Sequence, residues 1–132
     1  MNETTRQFVL YRMERALEAM REAELLFGQG HLLGSLNRLY YACFYAVSAL
    51  LLAKGYSSSK HSGVRSLFHR KLVREGLVSR ESAKTYDKLF TRRQRADYED
   101  LFSVEREEVE ALMGDARALV EEIQGLVREA IR

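Results

Sequence analysis

A chain of 132 residues, 46% of them hydrophobic, makes one domain and can bury a core without disulfides or metal. Its single cysteine, Cys43, excludes an internal disulfide and a cysteine-based zinc site, which fits a reducing cytosol. A net charge of +2 hides strong segregation: residues 60–95 hold 11 Lys/Arg against 3 Asp/Glu, and residues 96–132 hold 4 against 11.

Proline is absent, and Leu, Ala, Glu and Arg are abundant, which favours long uninterrupted helices. The N-terminus, with Glu3, Arg6 and Arg12, lacks the basic-then-apolar run of a signal peptide, and a cytoplasmic location is expected. A first helix is predicted from about Thr4 to Phe27, because Val9, Met13, Ala16, Met20, Ala23 and Phe27 step by three and four. Gly28-Gln29-Gly30 ends it, and so short a link makes the next helix an antiparallel neighbour. That second helix, about His31 to Lys54, is apolar nearly all round and must be covered on several sides. It looks too short and too tyrosine-rich to span a membrane, which takes roughly 20 predominantly apolar residues. Other helices would cover it, together with a second copy of the chain through Tyr40, Tyr41, Phe44 and Tyr45.

Gly55 stops the second helix, and any of Ser57, Ser58 and Ser59 could cap a third from about Lys60 to Arg74. Its inward side would be Val64, Leu67, Phe68 and Leu72. Ser79 is a good N-cap for a fourth helix to about Arg95, with a bend over residues 97–102. Ser103 would cap a fifth, whose Glu105, Glu107 and Glu108 suit the positive end of the helix dipole. Its stripe runs from Val109 through Leu112, Ala116, Leu119 and Ile123 to Val127. Residues 1–132 are thus expected to form one all-α, up-and-down bundle of five helices, three long and two short.

No glycine-rich phosphate loop, His-Glu-x-x-His or nucleophile elbow is present, so neither cofactor nor metal is expected. The basic middle segment suggests an anionic partner, or equally a surface packed beside the acidic fifth helix. Its densest part, Arg92-Arg93-Gln94-Arg95-Ala96-Asp97-Tyr98, offers guanidinium groups that grip phosphate and a ring on which a base could stack. The plainer reading is an ordinary intrahelical pair between Arg93 and Asp97, four residues apart, with Tyr98 half in the core. Lys60 and His61 open the third helix, where an anion would be welcome and His61 would tend to be neutral. Arg38 near the start of the second helix would point outward or pair with an acid.

Three segments in this order resemble the HEPN family: Leu36-Asn37-Arg38-Leu39-Tyr40-Tyr41-Ala42-Cys43-Phe44, then Lys60-His61-Ser62-Gly63-Val64, then Arg93-Gln94-Arg95-Ala96-Asp97-Tyr98. The likeness is closest to its small stand-alone bacterial and archaeal members. It implies an all-α bundle that commonly dimerises and is often paired with a minimal nucleotidyltransferase as toxin and antitoxin. Many such proteins are metal-independent ribonucleases using an Arg, four to six residues, then a His. The Arg would hold the scissile phosphate and the His would assist proton transfer. Here Arg93 matches the arginine, but Tyr98 stands where the His is expected. Tyrosine, with an ordinary pKa near 10, is a poor base at neutral pH. The resemblance also implies that a tyrosine near this motif can receive a nucleotide from the partner enzyme.

Three functional readings follow. The first is a homodimeric nucleotide- or RNA-binding module working with a nucleotidyltransferase, in which Arg92, Arg93 and Arg95 contact phosphate and Tyr98, His61 and Lys60 border the same site. The second is a ribonuclease using Arg93 with Tyr98, Asp97 or His61, of which His61 could serve only if the third helix starts against the end of the fourth. The third is a purely structural homodimer built on the tyrosine-rich helix.

Overall fold

The structure, a computed structural model, describes residues 1–132, and five α-helices in chain order make up almost all of it. They are α1 (Glu3–Gly28), α2 (Leu32–Ala53), α3 (His61–Leu67), α4 (Arg80–Tyr98) and α5 (Arg106–Ala130). The Asn2 side chain caps α1 by accepting from the Thr5 amide at 2.8 Å. Gly30, with φ of +80°, turns the chain so that α2 returns along α1. The apolar stripe of α1 is buried as its spacing predicts, from Val9 through Met13 and Ala16 to Ala23.

α2 is the centre of the bundle and touches every other element. Leu36, Leu39, Tyr40, Ala42, Cys43, Ala46 and Val47 are completely buried. At 22 residues it is long and apolar enough to cross a membrane, so its length is no argument against a span; the other helices cover 61% of its most apolar window. The surplus apolar surface expected at a second copy is largely absorbed within one chain. Tyr40 in particular is core and cannot be a dimer contact, contrary to expectation.

Three boundaries differ from those predicted. The third helix is α only as far as Leu67 and continues as a π-helical turn over Phe68–Val73, closed by a bond from the Arg74 amide to the His69 carbonyl. With that wider turn Phe68 and Leu72 both reach the core, while His69 faces α4. No serine caps α3; Lys60 holds that place, and the Ser58 hydroxyl accepts from the Lys60 amide instead. α4 runs one turn further than expected, to Tyr98, held by ion pairs Arg93–Asp97 and Arg95–Glu99 at i,i+4 spacing. Ser103 does not cap α5. Phe102 and Val104 both pack on the core from an extended stretch, which postpones the helix to Arg106 with Glu105 as N-cap.

α4 and α5 are tied at both ends of their contact. Arg92 pairs with Glu108 at 2.9 Å, so part of the basic segment does pack beside the acidic helix. At the other end Glu122 accepts from the Ser79 amide, the Ser79 hydroxyl and the Ser82 hydroxyl at 2.6–2.8 Å. Burial alone would raise the Glu122 pKa, but these three donors hold it below the usual carboxylate range. Glu122→Ala is expected to cost about 1–3 kcal/mol, since it frees the donors at the start of α4. Because the folded pKa is depressed, this stabilisation is present above the ordinary Glu value and is lost as pH falls through the folded one. Urea denaturation at pH 7 and pH 3 checks it: the difference between wild type and variant should shrink in acid.

Candidate functional site

The site is built where the start of α3 meets the end of α4 over the aromatic face of α2. Gly63 lets the connection leading into α3 fold over the first turn of that helix, because a Cβ there would overlap the Ser58 side chain. α3 is held against α4 by Asp87, which accepts from Arg65 Nε at 2.9 Å and pairs with His69 Nε2 at 2.8 Å. That clamp brings His61 to Arg93, 32 residues away in sequence, with the guanidinium Nη1 3.5 Å from His61 Nδ1.

Each side chain of the pair has a defined seat. The His61 ring stacks on Phe44 with centroids 4.4 Å apart. Its Nδ1 lies 2.7 Å from the Tyr40 hydroxyl. Arg93, only 14% exposed, lies over the Tyr40 ring at 4.8 Å and near Tyr41 at 5.7 Å, and donates to Asp97 at 3.1 Å. A guanidinium can only donate, and burial pushes the Tyr40 phenol up to about 12, against the opposing pull of Arg93, so its hydroxyl keeps its proton. With two donors on Nδ1, we assign the neutral tautomer with hydrogen on Nε2. Burial first, and then the Arg93 charge, hold the His61 pKa below its ordinary value, with Asp97 opposing. At neutral pH the site therefore combines one permanent cation with one neutral N–H donor.

The other expected residues are placed differently. Arg92 is spent on Glu108, and Arg95 on Glu99 at 2.6 Å, so neither joins Arg93. Lys60 is exposed at the start of α3, with no side-chain contact to the pair. Tyr98 is 81% exposed; with α4 continuing through it, the residue points away from Arg93 and borders no common site. Asp97 is exposed and anchors Arg93. Tyr41, Phe44 and Tyr45 are half-buried and packed on the core.

Two residues contribute more to the site than their sequence positions suggest. Arg38 pairs with Glu22 at 3.4 Å, as an arginine at the start of an apolar helix was expected to do, yet its guanidinium also lies over Tyr41 at 4.9 Å, a ring that Arg93 approaches at 5.7 Å. Tyr40 was read as interface and instead fixes the His61 tautomer. Its signal was available: a tyrosine among fully apolar neighbours on a buried stripe has to place its hydroxyl somewhere polar.

Chemically Arg93 can hold an anion, and the imidazole of His61 beside it can exchange a proton. Among known families, a model described as HEPN domain matches residues 9–126. A UPF0332 protein of Thermotoga maritima is 41% identical over 132 residues, covering 100% of this chain and 99% of that one. A protein of Methanocaldococcus jannaschii named "putative toxin" is 30% identical over 131 residues, 99% of this chain and 97% of that one. A second protein with that name from the same organism is 31% identical over 101 residues, 76% of this chain and 69% of its own length.

Proposed function

The chain belongs to the HEPN domain family, and from that premise we propose that it grips the phosphodiester backbone of RNA with Arg93 and His61. The observation that carries this reading is the 3.5 Å approach of a sheltered guanidinium to a neutral imidazole on a different helix. A diester phosphate takes paired hydrogen bonds from a guanidinium, and the neighbouring imidazole is placed to serve the adjoining group of the same strand. The names of the relatives in M. jannaschii favour a toxin-type role. A minimal nucleotidyltransferase partner belongs to the same proposal. Tyr98, exposed at the end of α4, is the hydroxyl such an enzyme could modify.

The same observation favours a second reading, metal-independent ribonuclease action. The family's Arg and His, four to six residues apart along one segment, would here be supplied by two helices. Arg93 would hold the scissile phosphate and His61 would move the proton of the attacking ribose hydroxyl, after its lone pair shifts to Nε2. Incubating the chain with single-stranded RNA in chelator tests both readings together. Binding lost in Arg93→Ala and His61→Ala without any cutting supports the first. Cutting abolished by either change supports the second. Unaltered binding and no cutting in both variants would reject the site.

A homodimer also remains part of the proposal. Light scattering at micromolar concentration should give the mass of two chains, and a single-chain mass would overturn it.

A further inference from the structure

Beside the Arg93–His61 site, α1 presents a second stripe that does not face the core. Phe8, Tyr11, Arg12 and Arg15 follow helical spacing, and with Tyr45 and Phe44 of α2 they line a groove of about 350 Å³. Phe8 and Tyr11 are 56% and 55% exposed, too open to be core. The two guanidinium groups bond only to neutral oxygens. Arg12 donates to the Ser48 carbonyl at 3.3 Å; Arg15 donates to the Tyr11 and Tyr45 hydroxyls at 3.3 Å and lies 5.0 Å over the Tyr45 ring. No carboxylate is within ion-pair distance of either, and only Glu18 acts on Arg15 from further off, so the groove carries two positive charges free of ion pairs among aromatic rings. It is also continuous with the phosphate site: Tyr45 meets Phe44 at 5.7 Å, and Phe44 meets the His61 ring at 4.4 Å.

We propose that this groove takes an unpaired base of single-stranded RNA, next to the phosphate held by Arg93 and His61. The inference rests on the phosphate reading above and supplies its substrate class. Rings that lie open beside cations offer stacking to any exposed base, and the arginines neutralise the neighbouring backbone. A base inside a duplex has no free face to offer, so single strands are selected over double strands. Phe44 and Tyr45 are also among the residues expected at a homodimer contact, and a second copy is the competing occupant. Two arginines without an ion-pair partner, in a groove that adjoins the phosphate site through Phe44, favour RNA.

Fluorescence anisotropy with a short single-stranded RNA, its duplex and an abasic ribose-phosphate strand tests the proposal on the full chain. The double change Phe8→Ala with Tyr11→Ala alters exposed side chains, and circular dichroism monitors its fold. It is expected to weaken single-strand binding about five- to hundredfold, while abasic-strand binding stays within about twofold. Arg93→Ala should weaken both strands. Unchanged single-strand affinity in the double variant, with Arg93→Ala still weakening it, overturns the groove and leaves the phosphate reading standing. Equal losses on single strand and duplex overturn single-strand selection. A double variant that falls from two-chain to one-chain mass overturns it in favour of a copy contact. Binding that depends on the groove but not on Arg93 overturns the link between the two.

Discussion

Replacing Arg93 with Ala is expected to lower affinity for single-stranded RNA by roughly ten- to hundredfold, whereas Arg92→Ala and Arg95→Ala each change it by less than about threefold. All three sit in one basic run, and the run alone does not rank them. Partners and shelter do. Arg92 and Arg95 face carboxylates of Glu108 and Glu99, so each brings a neutralised pair to an approaching phosphate. Arg93 has an acid too, and all three are paired through Nε, but only Arg93 has its Nη1 beside an imidazole, that of His61. Its side chain is 14% exposed and laid on Tyr40, so little water competes for it and few rotamers are lost on binding. Arg93→Lys keeps the charge but loses the fork and the stacking, and should recover only part of the affinity. The salt dependence separates these effects: Arg93→Ala should reduce the slope of log affinity against log salt by about one phosphate contact. Three variants with equal, small losses would mean that the segment acts as a diffuse basic surface with no site in it.

The helices were legible because their signal is local. The stripe from Val9 to Ala23 and that from Val109 to Val127 are buried where the period places them. What a period does not carry is the balance between competing contacts at an end. The π-helical turn at Phe68–Val73 is seen only with the core that takes Phe68 and Leu72 and the Asp87 that takes His69. Likewise Ser103 has the chemistry of a cap, and burial of Phe102 and Val104 outweighs it.

The site divides in the same way. Arg93, His61 and Asp97 were all identifiable as residues, but the meeting of Arg93 with His61 spans 32 positions and depends on how α3 leans on α4. Tyr98 was given the role of the missing histidine on spacing along the chain, and continuation of α4 removes it from the site. The groove was legible and passed over: Phe8, Tyr11, Arg12 and Arg15 are as periodic as Val9 and Met13, on an open face of the same helix.

Lowering the pH from 7.5 to 5.5 is expected to tighten RNA binding about tenfold in the wild-type chain and to leave His61→Asn nearly unchanged. The groups facing His61 set the direction. Burial and the Arg93 charge favour its neutral form and Asp97 opposes them, while the Tyr40 hydroxyl, held at about 12, keeps its proton and turns to accept from Nδ1 once the ring is charged. A phosphate placed against His61 adds negative charge to that of Asp97, and raises the imidazole pKa. If it does so by about one unit, affinity gains about tenfold once the ring is charged, since each unit is about 1.4 kcal/mol. The amide introduced by His61→Asn would keep an acceptor for Tyr40 but could not charge. Stability of the free chain should move the other way. With the folded pKa depressed, the unfolded chain binds more protons below its ordinary value of about 6.5. The His61 contribution is therefore present above that pH and is lost as pH falls through the folded value. Acid should thus lower the melting temperature of the free chain while tightening the complex, and His61→Asn should reduce both responses. Only three histidines are present, His31, His61 and His69, so imidazole NMR can follow the ring directly with and without RNA. A His61 pKa unmoved by RNA, or an acid response equally strong in His61→Asn, would show that the phosphate does not sit beside His61.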